Sequence, residues 1–166
     1  KKNVDIYCAC SEEAALSKFC PEILSKVLVI RNGIDLDRYK RTDVNRKTLR
    51  ERFNAKDTDL VIGHVGRMTY QKNQEYALSV FKTIHSMRPN SQLWLIGDGP
   101  DFETIKDRVS ELGLRDSVKL LGLIQDTSCY YQAFDAFIFP SRFEGLPISL
   151  IEAEAAGLPC AVSDHV

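Results

Sequence analysis

Apolar residues in this chain gather into short runs set apart by longer amphipathic stretches. Leu60–Val65, Gln92–Ile96, Val118–Leu121, Ala136–Phe139 and Cys160–Val162 are such runs, mostly β-branched or aromatic and several apolar throughout. Val4–Cys10 and Val27–Ile30 precede them. Strands covered on both faces carry this signature, because neither side alternates with water-facing residues. Between the runs, Val44–Phe53, Asn73–Met87, Phe102–Leu112, Ser128–Ala133 and Ile148–Ala156 predict helices, with one more expected between the first two strands. In the second of these, Tyr76, Val80, Ile84 and Met87 recur at helical spacing and mark its expected apolar face. Asp101 stands where it can cap the third helix and Gly113 where it can end it. Strand and helix alternating at this spacing imply right-handed β-α-β units. The predicted fold is therefore α/β, a Rossmann-like parallel sheet with helices on both faces.

Composition narrows the partners. The 166 residues suffice for a domain with a hydrophobic core. With 22 basic residues against 23 acidic ones, the charge balance argues against a nucleic-acid-binding surface. No apolar stretch reaches transmembrane length, and no basic-then-apolar leader opens the chain. The five cysteines, Cys8, Cys10, Cys20, Cys129 and Cys160, are irregularly spaced and lack a Cys-x-x-Cys pair. His64, His85 and His165 are far apart in sequence, so neither a metal site nor a disulfide framework is expected. Buried thiols in a reducing cytosol are the simplest reading.

Candidate chemistry concentrates in Ser141–Pro159. Glu144 and Glu152, eight positions apart, straddle a Gly-Leu-Pro turn. Pro147 fits the first position of a helix, and Gly157 with Pro159 marks its end. Glu144 then lies in the loop before the helix and Glu152 in its second turn. The backbone N–H groups at that helix start, those of Leu146, Ile148 and Ser149 among them, suit a phosphate. The preceding strand puts this cluster at the carboxyl edge of the sheet, where open α/β sheets bind ligands. Gly66, Arg67 and Lys72 follow the Leu60–Val65 strand on a loop that enters a helix, and both cations can reach phosphate oxygens from there. Gly97 and Gly99 read as a tight turn lining the same crevice. His64, Trp94, Tyr130 and Tyr131 read as residues of the packed core.

These motifs, in this order, resemble glycosyltransferase family four, the retaining group 1 glycosyltransferases of the GT-B fold. The carriers are the E-x7-E pair Glu144 and Glu152, Gly66-Arg67 through Lys72-Asn73, Asn32-Gly33-Ile34-Asp35, Gly97-Asp98-Gly99-Pro100, Leu121-Gly122 and Ala155-Ala156-Gly157-Leu158-Pro159. The resemblance covers Val27 to the last residue. It implies that residues 1–31 are the end of an acceptor-binding domain and its hinge. Residues 32–166 would then be a truncated nucleotide-sugar donor-binding domain, one half of an enzyme that is inactive alone. By the same resemblance Arg67 and Lys72 hold the donor diphosphate, with Gly66, Gly145, Leu146 and Ile148 lining its site. Glu144 would hold sugar hydroxyls and Glu152 the ribose hydroxyls, with the base near Gly122, Leu123 and Ile124.

Such an enzyme moves a sugar from a nucleoside diphosphate to a saccharide, lipid-linked sugar or similar hydroxyl. It would work with retention, without an essential metal or other cofactor, and in the cytoplasm. Membrane docking would go through the other domain. Pro147 departs from the commonest family pattern, which has Gly there. A non-catalytic nucleotide-binding module, or another GT-B enzyme such as an epimerase or phosphorylase, are the alternatives. The four charged residues Arg67, Lys72, Glu144 and Glu152 together favour the transferase.

Overall fold

A computed structural model describes residues 4–40 and 42–164, so His165 lies outside the described residues. The chain builds two parallel sheets. β1 (Tyr7–Ala9) pairs with β2 (Val27–Val29), and between them run two short helices, α1 (Glu12–Lys18) and α2 (Pro21–Leu24). The sequence predicts a single helix there. Pro21 opens the second, as its fixed φ and missing N–H allow. A 3-10 turn, Leu36–Tyr39, interrupts the polar segment that follows, and α3 (Asp43–Arg52) comes next.

The larger sheet holds β3 (Leu60–Val65), β4 (Ser91–Ile96), β5 (Val118–Leu120), β6 (Ala136–Phe139) and β7 (Cys160–Val162) in the order β5-β4-β3-β6-β7, every pair parallel. Helices α4 (Gln74–Met87), α5 (Phe102–Glu111), α6 (Ser128–Ala133) and α7 (Ile148–Ala155) connect the strands. Strand alternation explains why the runs are apolar throughout. Leu93 and Leu95 join Ala77, Leu78, Phe81, Ile105 and Val109 in a core under α4 and α5. Trp94 and Ile96 point the other way, into a core with Tyr131, Phe134, Phe137, Phe139 and Leu150. Each fully buried side chain of this size contributes roughly 1.5–3 kcal/mol, so a polar residue on either face would be costly.

The strand order reverses between β3 and β6, because the chain runs outward from β3 through β4 to β5 and then returns to the other side. The carboxyl ends of β3 and β6 diverge there into separate loops, which opens a crevice. The sheet brings both candidate loops, 66–73 and 140–147, to that point.

Three expectations are corrected. Helix α7 starts at Ile148, and Pro147 is its N-cap, with its carbonyl accepting from Leu150 and Ile151 N–H groups. The buried face of α4 is Gln74, Ala77, Leu78 and Phe81; of the expected face, Val80 and Ile84 are partly buried against the same core, whereas Tyr76 and Met87 are exposed. Both faces carry apolar residues, so periodicity alone could not choose between them. The cysteines are not core thiols: Cys8 and Cys20 are exposed and Cys10, Cys129 and Cys160 half-buried, all of them free. Among the described residues no helix is long and apolar enough to cross a membrane.

Candidate functional site at the sheet's carboxyl edge

The loop after β3 is shaped by its neighbour after β4. Gly66 N–H bonds to Ile96 O and Met68 N–H to Asp98 O, while Asp101 N–H returns to Met68 O. Glycine is required on the β4 side. A Cβ at Gly97 would come within 2.0 Å of Gly66 O, and one at Gly99 within 2.3 Å of Met68 O. The Gly97-Asp98-Gly99 turn therefore serves close backbone packing that fixes the course of residues 66–68. Arg67 extends from this rigid base into solvent, and its guanidinium has no partner among the described residues.

Lys72 is placed differently. Its Nζ donates to Glu144 Oε1 at 2.7 Å and lies 4.9 Å from the centre of the Phe139 ring. Both partners are largely shielded, the side chains being 17% and 8% exposed, so the pair feels less screening than a surface ion pair. A cation expected to meet phosphate is thus already matched to the carboxylate expected to meet sugar. Arg67 is left as the uncompensated positive charge of these three.

The helix start beyond Glu144 is partly engaged. Ile148 N–H bonds to Leu146 O, so Ile148 is no ready donor to a phosphate, contrary to expectation. Gly145, Leu146 and Ser149 N–H groups have no backbone acceptor among the described residues. Gly145 also packs closely against helix α1: a Cβ there would lie 3.2 Å from the Ala14 Cβ. Glu152, in the second turn of α7, is clasped by two phenols. Tyr39 Oη donates to Oε1 and Tyr131 Oη to Oε2, both at 2.7 Å. Burial first, and then the carboxylate, push both phenols well above their usual pKa, so each stays a donor. Glu154, the other acidic residue of the helix, is exposed.

Behind the loop lies His64, fully buried next to the carboxyl end of β3. Its Nδ1 is 2.9 Å from Ile138 O, a carbonyl that can only accept, so the proton sits on Nδ1 and Nε2 accepts from Gln74 Nε2 at 3.1 Å. Gln74 Nε2 also donates to Arg67 O. Burial lowers the imidazole pKa to about 4, with Lys72 adding to the effect against the Ile138 hydrogen bond. His64 is a satisfied, neutral core residue.

A cavity of about 480 Å³ opens at the carboxyl ends of β3 and β4, lined by Gly66, Arg67, Gly97, Asp98, Leu123 and Ile124 among others. Leu123 is 78% exposed at its rim. A larger groove of about 630 Å³ lies beside α4 over β6 and β7 and contains none of the candidate site residues. It is the sheet face that neither α4 nor α7 covers, and its size reflects that gap. The smaller cavity is the one that candidate residues line, through Gly66, Arg67 and Ile124.

The family model for glycosyl transferases group 1 matches residues 45–166. The chain belongs to the group 1 glycosyltransferases. A putative glycosyltransferase of Bacillus subtilis, EpsF, is 32% identical over 99% of this chain and 43% of its own length. The UDP-Gal:alpha-D-GlcNAc-diphosphoundecaprenol alpha-1,3-galactosyltransferase of Escherichia coli is 34% identical over 84% of this chain and 37% of its own. Among solved structures, Anabaena Alr3699/HepE in complex with UDP and glucose superposes with a TM-score of 0.82 at 22% identity, over 97% of this chain and 45% of that one. The chain thus spans under half the length of these relatives.

For a group 1 glycosyltransferase, the fold gathers Gly66, Arg67 and Ile124 around one cavity and sets the Lys72–Glu144 pair beside it on the adjoining loops. Gly145 and Leu146 continue the second loop. Glu152 stands apart from the cavity lining and faces Tyr39 and Tyr131. Sequence reasoning missed Tyr39 entirely, since its partner is 113 positions away. It also assigned Tyr131 only to packing. The nearest available signal was Tyr39's place four residues after the Asn32–Asp35 motif of this glycosyltransferase.

Proposed function

We propose that this chain is the donor-binding half of a retaining glycosyltransferase that takes its sugar from a nucleoside diphosphate. The carrying observation is the cavity at the carboxyl ends of β3 and β4, beside the reversal of strand order, which joins an unpaired guanidinium to an apolar rim and adjoins a shielded lysine–carboxylate pair. The base and ribose occupy the cavity against Leu123 and Ile124, and the diphosphate reaches Arg67. Donor binding draws Lys72 toward the phosphate and releases Glu144 to accept hydroxyls of the sugar. As the anomeric carbon–oxygen bond breaks, negative charge grows on the leaving diphosphate, where fixed cations stabilise it most. The acceptor hydroxyl oxygen bonds to the same face of the anomeric carbon, and its proton passes to the departing phosphate.

In this reading Arg67 and Lys72 take the part that a divalent metal fills elsewhere, and no other cofactor is needed. Residues 1–31 belong to the hinge and acceptor side, the rest of which lies outside this chain, and residues 32–166 form the donor side. The close packing of Gly145 on Ala14 supports placing that side across the crevice from Glu144. A diphosphoundecaprenol-linked acceptor in the Escherichia coli relative's name supports a saccharide or lipid-linked acceptor in glycan assembly. The compartment of this reading is the cytoplasm. UDP is the first nucleotide to test, because that relative and the Anabaena structure carry it in their names.

Melting-point shifts of the chain with UDP, GDP and ADP identify the nucleotide, since a ligand of the native state stabilises it by mass action. Calorimetric titration then separates the glutamates. Glu144→Gln should spare the nucleoside diphosphate and weaken its sugar conjugate. Glu152→Ala should weaken both, by about 1.5–3 kcal/mol for hydrogen bonds to a charged acceptor. Equal losses in the two variants would refute these roles.

A further inference from the structure

We infer that Gln71, Asn73 and Arg142 are positioning residues that lock the Lys72 loop to the Glu144 loop and so fix the site's cation before the donor arrives. The inference rests on reading Lys72 as a diphosphate ligand. Four hydrogen bonds cross between the loops in addition to the Lys72–Glu144 contact. Arg142 N–H donates to Gln71 O at 2.8 Å, and Gln71 Nε2 returns to Phe143 O at 2.9 Å. Asn73 Nδ2 donates to Pro140 O at 3.1 Å, and Asn73 Oδ1 accepts from Arg142 Nη2 at 3.0 Å. The Arg142 guanidinium also stacks 4.3 Å from the centre of the Tyr70 ring.

Placement gives these bonds their meaning. Gln71 and Asn73 are the immediate neighbours of Lys72, and Phe143 immediately precedes Glu144. The clasp therefore brackets the ion pair on both loops, and neither charged side chain can shift its backbone without breaking it. Asn73 does two jobs. Its backbone is left-handed, with φ 55° and ψ 43°, turning the chain into α4, a conformation that asparagine and glycine tolerate and other residues resist. Its amide meanwhile donates to one loop carbonyl and accepts from Arg142, which glycine could not do. A long, flexible lysine reaches a phosphate in a defined geometry only if its anchor is fixed, and such pre-organisation is where positioned groups gain over free ones.

The inference predicts a specific loss. What the clasp holds is the lysine that meets the outer phosphate, so breaking it should erode the preference for nucleoside diphosphate over monophosphate. Calorimetric titration with UDP and UMP measures that preference, with GDP/GMP or ADP/AMP used if the melting-point panel selects another base. Arg142→Ala and Asn73→Gly, the second preserving the left-handed turn, should each lower the diphosphate-to-monophosphate ratio about fivefold to tenfold while UMP affinity stays unchanged. In a Lys72→Ala background the same substitutions should lower it no further, since coupled residues are not additive. Unchanged UMP binding also shows that each variant is folded. If Lys72→Ala loses the preference but Arg142→Ala and Asn73→Gly keep it, or if their losses simply add to that of Lys72→Ala, the clasp has no positioning role and the donor reading stands. If Lys72→Ala itself keeps the full preference, the lysine does not meet the diphosphate and both ideas fall.

Discussion

Strand β6 carries a charge cluster at each end, and the two are built to opposite rules. At its entry, Asp135 accepts from Arg46 Nη2 at 2.6 Å, from Arg50 Nη2 at 2.5 Å and from Val61 N–H at 2.8 Å. Arg50 is 1% exposed, and its remaining donors go to the Ala133, Lys56 and Asp59 carbonyls. Burial works against the Asp135 charge, yet the Val61 N–H and the two guanidinium groups hold its pKa below the usual value. Past the strand's exit, Glu144 and Lys72 meet through one hydrogen bond, and the Arg67 guanidinium beyond them has none among the described residues. One cluster is closed on every side and fastens α3 and α6 to the sheet. The other keeps donors and lone pairs in reserve beside a cavity. Charge burial alone does not mark a site; unused hydrogen-bonding capacity next to open space does.

Substitutions at the two ends should therefore fail in different currencies. Asp135→Ala leaves two arginines unpaired, one of them wholly buried, and should cost about 3–5 kcal/mol of stability. Chemical denaturation checks it; a loss under 1 kcal/mol would mean the cluster is not a closed one. Lys72→Ala or Arg67→Ala in the intact transferase should instead remove roughly 2–4 kcal/mol of transition-state stabilisation. The Arg67→Ala melting point should stay close to the parent's, whereas Lys72→Ala, which leaves the shielded Glu144 carboxylate without its partner, should also lose stability. Steady-state kinetics with the donor selected by nucleotide binding reads this, and parental turnover in both variants would take the cations out of the site.

Tyr39→Phe tests an intermediate case, because Glu152 is held by phenols yet is proposed to receive ribose. Losing one hydrogen bond to a charged acceptor should weaken nucleotide binding or stability by about 1.5–3 kcal/mol. A calorimetric and denaturation pair tells which. The full loss in stability with none in binding would make Glu152 a structural anchor of the 3-10 turn. The last effect appears only in acid and concerns His64. Its folded pKa of about 4 lies below the ordinary histidine value of 6.5, so the native state binds fewer protons than the unfolded one between those values. Stability is then fully present above pH 6.5 and falls as the pH drops toward 4, by at most about 1.4 kcal/mol per unit. His64→Asn, which can still donate to the Ile138 carbonyl, should flatten that slope.

The inner strands β3, β4 and β6 were legible because each is buried on both faces, and a run such as Leu93-Trp94-Leu95 has no other comfortable home. The helices were legible in position but not always in orientation. On α4, Tyr76 and Val80 keep the right spacing, yet they border the groove over β6 and β7. Only the tertiary structure distinguishes that face from the one carrying Leu78 and Phe81. Arg67, Lys72, Glu144 and Glu152 could be selected by motif, and the fold places the first three at one edge. Their partners could not be read, because Tyr39–Glu152, Lys72–Glu144 and Arg142–Asn73 each join residues about 70 or more positions apart. Spacing rules speak for neighbours on one helix or strand and are silent across such distances.

The most direct test of the account is a crystal structure of the chain with UDP bound. The diphosphate should lie at the cavity bordered by Gly66, Gly97 and Ile124, with its outer phosphate within hydrogen-bonding distance of Arg67 and of a Lys72 drawn away from Glu144. Nucleotide bound instead in the groove between α4 and β7, with the Lys72–Glu144 contact intact, would contradict it.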